Sequence, residues 1–173
     1  MDLIDRDQIK AQFVVALNQS IESFSVDKRP ELMSFISELI ATQIPYVYAM
    51  PAYAQRFTDF VFQTNLRRDF LYTLCFNFYS FTPTNAMDFH IMLVDDLAFA
   101  ASMCITKKDL PVLDSDNSVV PHEVTERLAS VSEIRQLLLK EKWICMCLLL
   151  STFITLADIT VLSDKQPVAK PQG

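Results

Sequence analysis

Glycine is almost absent from this sequence, because the one glycine among its 173 residues is Gly173. A phosphate-binding loop, a dinucleotide-binding fingerprint and a Gly-x-Ser-x-Gly nucleophile elbow each need glycines inside the chain, for tight turns and for close approach of the backbone to a ligand. The sequence therefore excludes these three kinds of site. Two-residue hairpin turns also prefer glycine, so its scarcity disfavours an all-β fold.

Histidine is scarce as well, and we expect neither a metal nor a cofactor. The two histidines are His90 and His122. His90 has no glutamate or histidine three or four residues away, which is the spacing of metal ligands on one helix face. Cys145-Met146-Cys147 places two thiols two residues apart, where they point in different directions on a helix. Both patterns are more typical of core packing than of a metal site.

Basic residues are outnumbered. Fifteen lysines and arginines stand against 21 aspartates and glutamates, which gives a net charge of -6. Phosphate-backbone binding draws most of its affinity from clustered basic side chains, so we expect no nucleic-acid partner. Charged residues make up only 21% and hydrophobic residues 51% of the chain. This apolar excess predicts uncovered apolar surface, which usually marks contact with another protein or with a membrane.

All four cysteines lie inside apolar segments, at Cys75, Cys104, Cys145 and Cys147. Buried unpaired thiols are common in reducing compartments. The first residues show no basic-then-apolar signal pattern. These features favour a cytoplasmic protein.

The longest apolar run lies near the C-terminus, where residues 143–157 contain no charged residue, proline or glycine. A run of this length favours helix over strand, and we predict one hydrophobic core helix over residues 132–162. A helix that is apolar on nearly all sides lies either in a protein core or in a membrane. Residues 143–162 are about long enough to span a bilayer, so a membrane anchor is the alternative, although Asp158 lies inside that window.

The sequence predicts an all-α fold, a single-domain bundle of about six or seven helices. The hydrophobic C-terminal helix and a second central helix over residues 85–105 form its centre, because both carry apolar residues at helical spacing on more than one face. The domain covers residues 1–162. Residues 163–173 contain two prolines and no periodicity, so we expect a flexible tail.

Two segments are harder to assign. Residues 46–51 are apolar and bracketed by prolines, so we expect an extended segment, with Pro45 ending the preceding helix. Residues 67–81 fit a helix with one polar stripe, and they also fit a strand with alternating aromatics. The lack of a convincing strand partner elsewhere favours the helix, and Asn65 is the residue that we expect to cap the break before it.

The most distinctive polar feature is the Asp95-Asp96 pair inside the second central helix. Asp96 lies nearer the apolar side of that helix, and a buried carboxylate needs a partner. We therefore predict a buried ion pair between Asp96 and Arg67 or Arg68. The alternative is an acid–base catalytic site at Asp95 and Asp96, although two adjacent helical residues do not converge on one point.

The long polar break over residues 106–123 is the best place for mobility. Its Asp114, Asp116 and Asn117 mark a mobile or partner-binding loop. The spacing Asp114-x-Asp116-x-Ser118 resembles the start of a calcium loop, but the glycine at position six and the glutamate at position twelve of such a loop are missing.

These observations predict a non-enzymatic protein-interaction or assembly module, such as an accessory subunit, an adaptor or an inhibitor, including viral ones. It docks a protein partner or forms a homo-oligomer through apolar helix surface. Two alternatives stay open: a membrane-associated protein anchored by residues 143–162, and an acid–base enzyme with its site near Asp95 and Asp96.

Overall fold

The computed structural model of the chain describes residues 6–42, 44–49, 51–80, 86–103 and 130–160. Within these ranges the fold is all-α, as predicted, and contains no strand. In chain order the α-helices are α1 (Arg6–Glu22), α2 (Arg29–Ala41), α3 (Ile44–Ala49), α4 (Pro51–Val61), α5 (Asn65–Ser80), α6 (Ala86–Met103), α7 (Val131–Lys140) and α8 (Lys142–Phe153). Short 3-10 helices, Val26–Lys28 and Leu156–Asp158, follow α1 and α8.

Helices α1 and α5 form an antiparallel pair that buries the apolar stripe of each. Phe13 in the first half of α1 contacts Phe78 near the end of α5, with ring centroids 5.5 Å apart. Phe24, just after α1, contacts Phe70 in the first half of α5 at 6.3 Å. The helix prediction for residues 67–81 is therefore confirmed over its described part, and the aromatics of this segment pack at helical spacing.

The C-terminal apolar segment forms two helices instead of the single core helix predicted over residues 132–162. The break falls at Glu141, whose backbone leaves the helical region with φ -120° and ψ 90°. The Glu141 carboxylate accepts a hydrogen bond from the indole Nε1 of Trp143 (3.0 Å). The Trp143 ring packs edge-on against Phe62, with centroids 4.9 Å apart. The break thus turns the tryptophan into the bundle.

A capping arrangement also ends α8 well before residue 162. Ile154 has an extended backbone, and the Asp158 carboxylate accepts hydrogen bonds from the backbone N–H (2.9 Å) and the hydroxyl (3.3 Å) of Thr155. These bonds start a new turn instead of continuing the helix. The Asp158 carbonyl oxygen accepts a hydrogen bond from the Asn18 amide at 3.1 Å, so the segment returns to α1.

Helix α8 nevertheless lies at the centre of the bundle, as predicted for the C-terminal segment. Every side chain over residues 143–150 is buried, and α8 packs against α2, α3, α5, α6 and α7. The buried apolar side chains of all eight helices belong to one contiguous core. Within the described ranges, no helix combines the length and the apolarity that crossing a bilayer requires.

The predicted second central helix corresponds to α6, which packs mainly against α7 and α3. Only one side of α6 enters the core. Phe99 and Met103 on the other side are 59% and 53% exposed. The buried side contains Leu93, Val94, Leu97, Ala98 and Ala101.

Residues 44–49 form a short helix where an extended segment was predicted. Pro45 occupies the first turn of α3, where no intrahelical hydrogen bond needs the missing proline N–H. Pro51 occupies the same place in α4. Helix α2 has already ended when the chain reaches Thr42, whose backbone is extended with φ -75° and ψ 136°. These prolines therefore open helices and do not end them.

Side-chain caps define two other helix starts. The Ser130 hydroxyl accepts a hydrogen bond from the Glu133 backbone N–H (3.1 Å), and the Glu133 carboxylate accepts one from the Ser130 N–H (2.9 Å). This capping box opens α7. At α5 the Thr64 hydroxyl accepts a hydrogen bond from the Arg67 N–H at 3.2 Å. Thr64 thus takes the role predicted for Asn65, which is the first helical residue.

Candidate functional site

Asp95 and Asp96 bind arginines from two different helices. Arg6 at the start of α1 donates two hydrogen bonds from Nη2 to Asp96, at 2.8 Å to Oδ2 and 3.1 Å to Oδ1. Arg135 on α7 donates from Nε to Asp95 Oδ1 at 2.6 Å. The Asp96 side chain is 31% exposed, so its ion pair lies at the edge of the bundle and is not buried.

The arginines predicted to pair with Asp96 lie elsewhere. Arg67 donates from Nη1 to the carbonyl oxygen of Phe60 at 2.7 Å. Arg68 pairs with its neighbour Asp69 at 3.4 Å. Both partners are close in sequence, and local contacts of this kind need no distant carboxylate. The structure thus replaces the predicted buried pair with a partly exposed pair between Asp96 and an arginine of α1.

The two carboxylates diverge, because adjacent residues on a helix do not share a face. Asp95 joins α6 to α7 and Asp96 joins α6 to α1, each through its own arginine. This arrangement does not bring together the acid and base that the enzyme alternative requires. Among the residues that the structure describes, no group of three or more histidine, cysteine or acidic side chains could hold a metal ion.

A polar cluster lies where α5, α6 and α8 meet, with His90 and Cys145 buried and Lys142 exposed. The hydroxyl of Tyr79 and Nδ1 of the buried His90 are 2.8 Å apart, within hydrogen-bond distance. Lys142 Nζ lies 5.2 Å from the centroid of the Tyr79 ring. The Cys145 thiol donates a long hydrogen bond to the Leu138 carbonyl oxygen, with sulfur and oxygen 3.9 Å apart.

Burial favours the uncharged forms of the histidine and the thiols in this cluster. It lowers the pKa of His90 from 6.5; the charge of Lys142 acts in the same direction, and the Leu139 backbone acts against it. Burial raises the pKa of Cys75 to about 12 and holds the pKa of Cys145 well above its usual range. The thiolate is the form of cysteine that acts as a nucleophile, and burial keeps these thiols protonated. The cluster therefore has the properties of a packed polar seam.

Arg29 is a buried charge that no sequence pattern predicted. It is 7% exposed, and its Nη2 lies 3.3 Å from the carbonyl oxygen of Glu22 and 3.5 Å from that of Phe24. These carbonyls lie at the C-terminal end of α1, where the helix dipole is negative. The guanidinium therefore caps α1 from the first turn of α2, and this contact depends on how the two helices meet.

The face of α5 that points away from the core carries two aromatic side chains. Phe76 is 75% exposed and Tyr72 is 50% exposed, and their four-residue spacing places them one turn apart on the same side. Arg68 and Asp69 lie one turn before Tyr72, Ser80 lies one turn after Phe76, and all three are exposed. We call these five residues the α5 outer face.

Phe76 is the most exposed of the large hydrophobic residues that the structure describes. Phe99 and Met103 also lie one turn apart, on α6, but the ion pairs of Asp95 and Asp96 border that face. The remaining exposed large hydrophobics are spread over several elements: Val15, Val26, Phe62, Val131 and Leu156.

The signal for the α5 outer face is present in the sequence but depends on the secondary structure. In a strand, Tyr72 and Phe76 would share a face with Phe70 and Phe78. In a helix, Phe70 and Phe78 enter the core, and Tyr72 and Phe76 fall on the opposite side. Assigning the helix therefore also identifies the exposed aromatics.

The loop residues Asp114, Asp116 and Asn117, predicted to be mobile or to bind a partner, lie outside the described residues, as do the predicted tail residues 163–173. Comparison of the chain with protein-family models, with curated proteins and with solved structures finds no match.

Proposed function

We propose that this protein is a non-enzymatic protein-interaction module that docks a protein partner, or a second copy of itself, through the α5 outer face. The observation that carries this proposal is the 75% exposure of Phe76 beside the half-exposed Tyr72. Aromatic side chains are enriched in the buried centres of protein interfaces. A partner that covers both rings would remove from water the most exposed aromatic surface of the described chain.

The size of the exposed surface makes the two rings anchors of a contact. Each aromatic side chain presents about 200 Å², so the exposed parts of Tyr72 and Phe76 amount to roughly 250 Å² of largely apolar surface. At about 25 cal/mol per Å², covering them contributes about 6 kcal/mol before other terms. Association costs about 4–15 kcal/mol in lost motional freedom, and most of that range exceeds the contribution of the two rings, so further contacts around them are needed.

The surroundings of the two rings suit such contacts. Arg68, Asp69 and Ser80 are exposed and offer hydrogen-bond donors and acceptors around an apolar centre. Protein interfaces commonly have this arrangement, in which a polar rim surrounds the desolvated core of the contact. The α5 outer face therefore has the composition of a small docking surface.

The polar groups on α5 and α6 support binding rather than catalysis. Asp95 and Asp96 are each held by an arginine, and burial raises the pKa of Cys75 to about 12. The His90 ring is buried and its pKa is lowered. Each of these groups therefore has a structural partner or a buried environment.

We also propose that the protein works in a reducing compartment such as the cytoplasm. Cys75, Cys145 and Cys147 are unpaired thiols, and the last two are buried. Unpaired buried cysteines are typical of proteins kept in reducing conditions.

The proposed function is tested by affinity capture with three immobilised proteins: the wild-type chain, the Tyr72→Ser/Phe76→Ser double variant and the matched control Phe99→Ser. We expect the double variant to lose about tenfold or more of the bound partner, because aromatic anchors dominate interface energies. Phe99→Ser removes an exposed aromatic side chain from α6 instead of α5, and we expect this variant to bind the partner as the wild type does.

Folding is controlled by thermal melting of all three proteins. The substituted side chains are at least half exposed, so we expect the melting midpoints to agree within roughly 3 °C. Full binding by the double variant, or an equal loss in Phe99→Ser, would contradict the assignment of the α5 outer face as the docking surface.

A further inference from the structure

We propose that the α5 outer face binds the α5 outer face of a second copy, in an antiparallel arrangement with Tyr72 at the twofold axis. This inference rests on the proposed function, since it names the partner that the same face takes. The antiparallel contact follows from the order of the side chains along α5 more than from their apolar character.

Three residues of the face form one ridge. Arg68, Tyr72 and Phe76 follow one another at four-residue spacing and are all exposed. Ridges of this spacing on two helices interdigitate at a crossing angle of about -50°. The 16 residues of α5 provide a helix about 24 Å long, so a crossing at Tyr72 leaves the whole ridge of each copy within reach of the other.

The ridge is complementary to itself only when the two copies run antiparallel. A twofold axis at Tyr72 places Arg68 of one copy beside Phe76 of the other, twice, because these residues lie four positions on either side of the axis. A guanidinium over an aromatic ring is attractive, and the same chain already contains this contact, with Arg67 4.5 Å from the centroid of the Phe60 ring. A symmetric parallel arrangement would place Arg68 against Arg68.

Charge and area together predict a reversible dimer. Arg68 lies 3.4 Å from Asp69, so these two charges offset each other on the face. The whole chain has a net charge of -6, so two copies repel outside the contact, and salt screens that repulsion.

The aromatic surface covered in both copies is roughly 500 Å², below the roughly 1,200–2,000 Å² of a stable interface. Dimer formation should therefore increase with protein concentration.

Sedimentation equilibrium of the purified full chain over a wide concentration range tests the proposal. We expect a monomer–dimer equilibrium for the wild type. Phe76→Arg should weaken dimerisation by about tenfold or more, because it places arginine opposite arginine. Phe99→Ser should dimerise as the wild type does. Circular dichroism checks that each variant keeps its helical content.

A pair of complementary variants gives the sharpest result. Phe76→Arg alone should stay largely monomeric at concentrations where the wild type dimerises. When it is mixed with Arg68→Phe, a heterodimer should form, because both contacts then again join one arginine to one phenylalanine. A structural defect in Phe76→Arg would not be repaired by a second protein, so this recovery distinguishes a lost contact from a lost fold.

The outcomes separate this inference from the proposed function. A wild-type chain that stays monomeric at every concentration overturns the second-copy proposal, while capture of a different protein through Tyr72 and Phe76 would still support the proposed function. Absence of both dimer and capture removes the proposed function too. A wild-type dimer that Phe76→Arg leaves unchanged places the interface elsewhere and equally overturns the proposal.

Discussion

Buried basic side chains in this protein meet different surroundings, and these decide whether a positive charge is tolerated. The Arg29 guanidinium lies beside carbonyl oxygens at the C-terminal end of α1, where a cation is favoured. His90 lies instead near Lys142, and both burial and that ammonium lower its pKa. A protonated His90 is therefore disfavoured inside the bundle.

This lowered pKa predicts a loss of stability in mild acid. In the unfolded chain His90 takes up a proton near its ordinary pKa of 6.5, while in the folded chain it resists protonation until the pH is lower. The unfolded state therefore binds more protons below about pH 6.5, and the free energy of unfolding falls there by at most about 1.4 kcal/mol per pH unit. Above that pH this contribution no longer varies.

Urea denaturation of the wild type and of His90→Gln, measured between pH 7.5 and pH 5 (roughly one unit either side of the ordinary histidine pKa), tests this prediction. We expect the wild type to lose more stability than the variant on acidification, whatever the absolute stability of the variant. Parallel pH profiles for the two proteins would show that His90 is not the group responsible.

At the scale of helices, surface ion pairs join elements whose apolar faces meet inside. Asp96 joins α6 to Arg6 of α1, and Asp95 joins α6 to Arg135 of α7. Since α6 also packs mainly against α7, the Asp95 pair reinforces an existing contact. The Asp96 pair instead links α6 and α1, which share little packing. The coupling energy between Arg6 and Asp96 can therefore be measured with little contribution from helix packing.

A double-mutant cycle on Arg6→Ala and Asp96→Ala is expected to give a small coupling energy. The two side chains are 57% and 31% exposed, and exposed ion pairs contribute about 0.2–1 kcal/mol. Asp96→Ala should therefore lower the melting midpoint only slightly, in contrast to the loss of several degrees expected for a buried pair. A coupling energy of about 3 kcal/mol or more would indicate a buried pair and would contradict the structure.

The helix boundaries show which parts of the secondary structure the sequence predicts and which it does not. The apolar spacing located α6 to within a few residues, and the helix predicted over residues 67–81 corresponds to α5. The break at Glu141 was not predictable, because nothing in the local sequence marks it. It depends on Trp143 reaching Phe62, a residue of the α4–α5 connection far away in the chain.

At the scale of the whole molecule, α8 is the element that the other helices cover. Leu149 and Leu150 are both fully buried there, and the helix contacts five others. A side chain surrounded on all sides leaves a cavity when it is shortened, because rigid neighbours relax only partly. The stability of the bundle should therefore be most sensitive to changes in α8.

Leu149→Ala is expected to lower the free energy of unfolding by about 2–5 kcal/mol, the range for leucine truncations in cores. Leu156→Ala is the matched control, since Leu156 is 53% exposed, and its effect should stay within about 0.5 kcal/mol. Chemical denaturation of both variants measures the difference. Similar effects at the two positions would show that α8 is not the centre of the core.

The sequence by itself determined the all-α class and the positions of α5 and α6, because apolar residues at helical spacing and the lack of internal glycine leave few other solutions. It also identified α8 as core, since a run of apolar side chains must be covered. These properties follow from neighbours along the chain, which the sequence contains in full.

The tertiary structure alone decided which distant groups meet. Asp96 pairs with Arg6, and Arg29 lies against the C-terminal end of α1. Each outcome depends on how two helices are placed against each other, and that placement is set by the packing of many side chains at once. No local pattern carries this information, so these contacts became visible only in the assembled bundle.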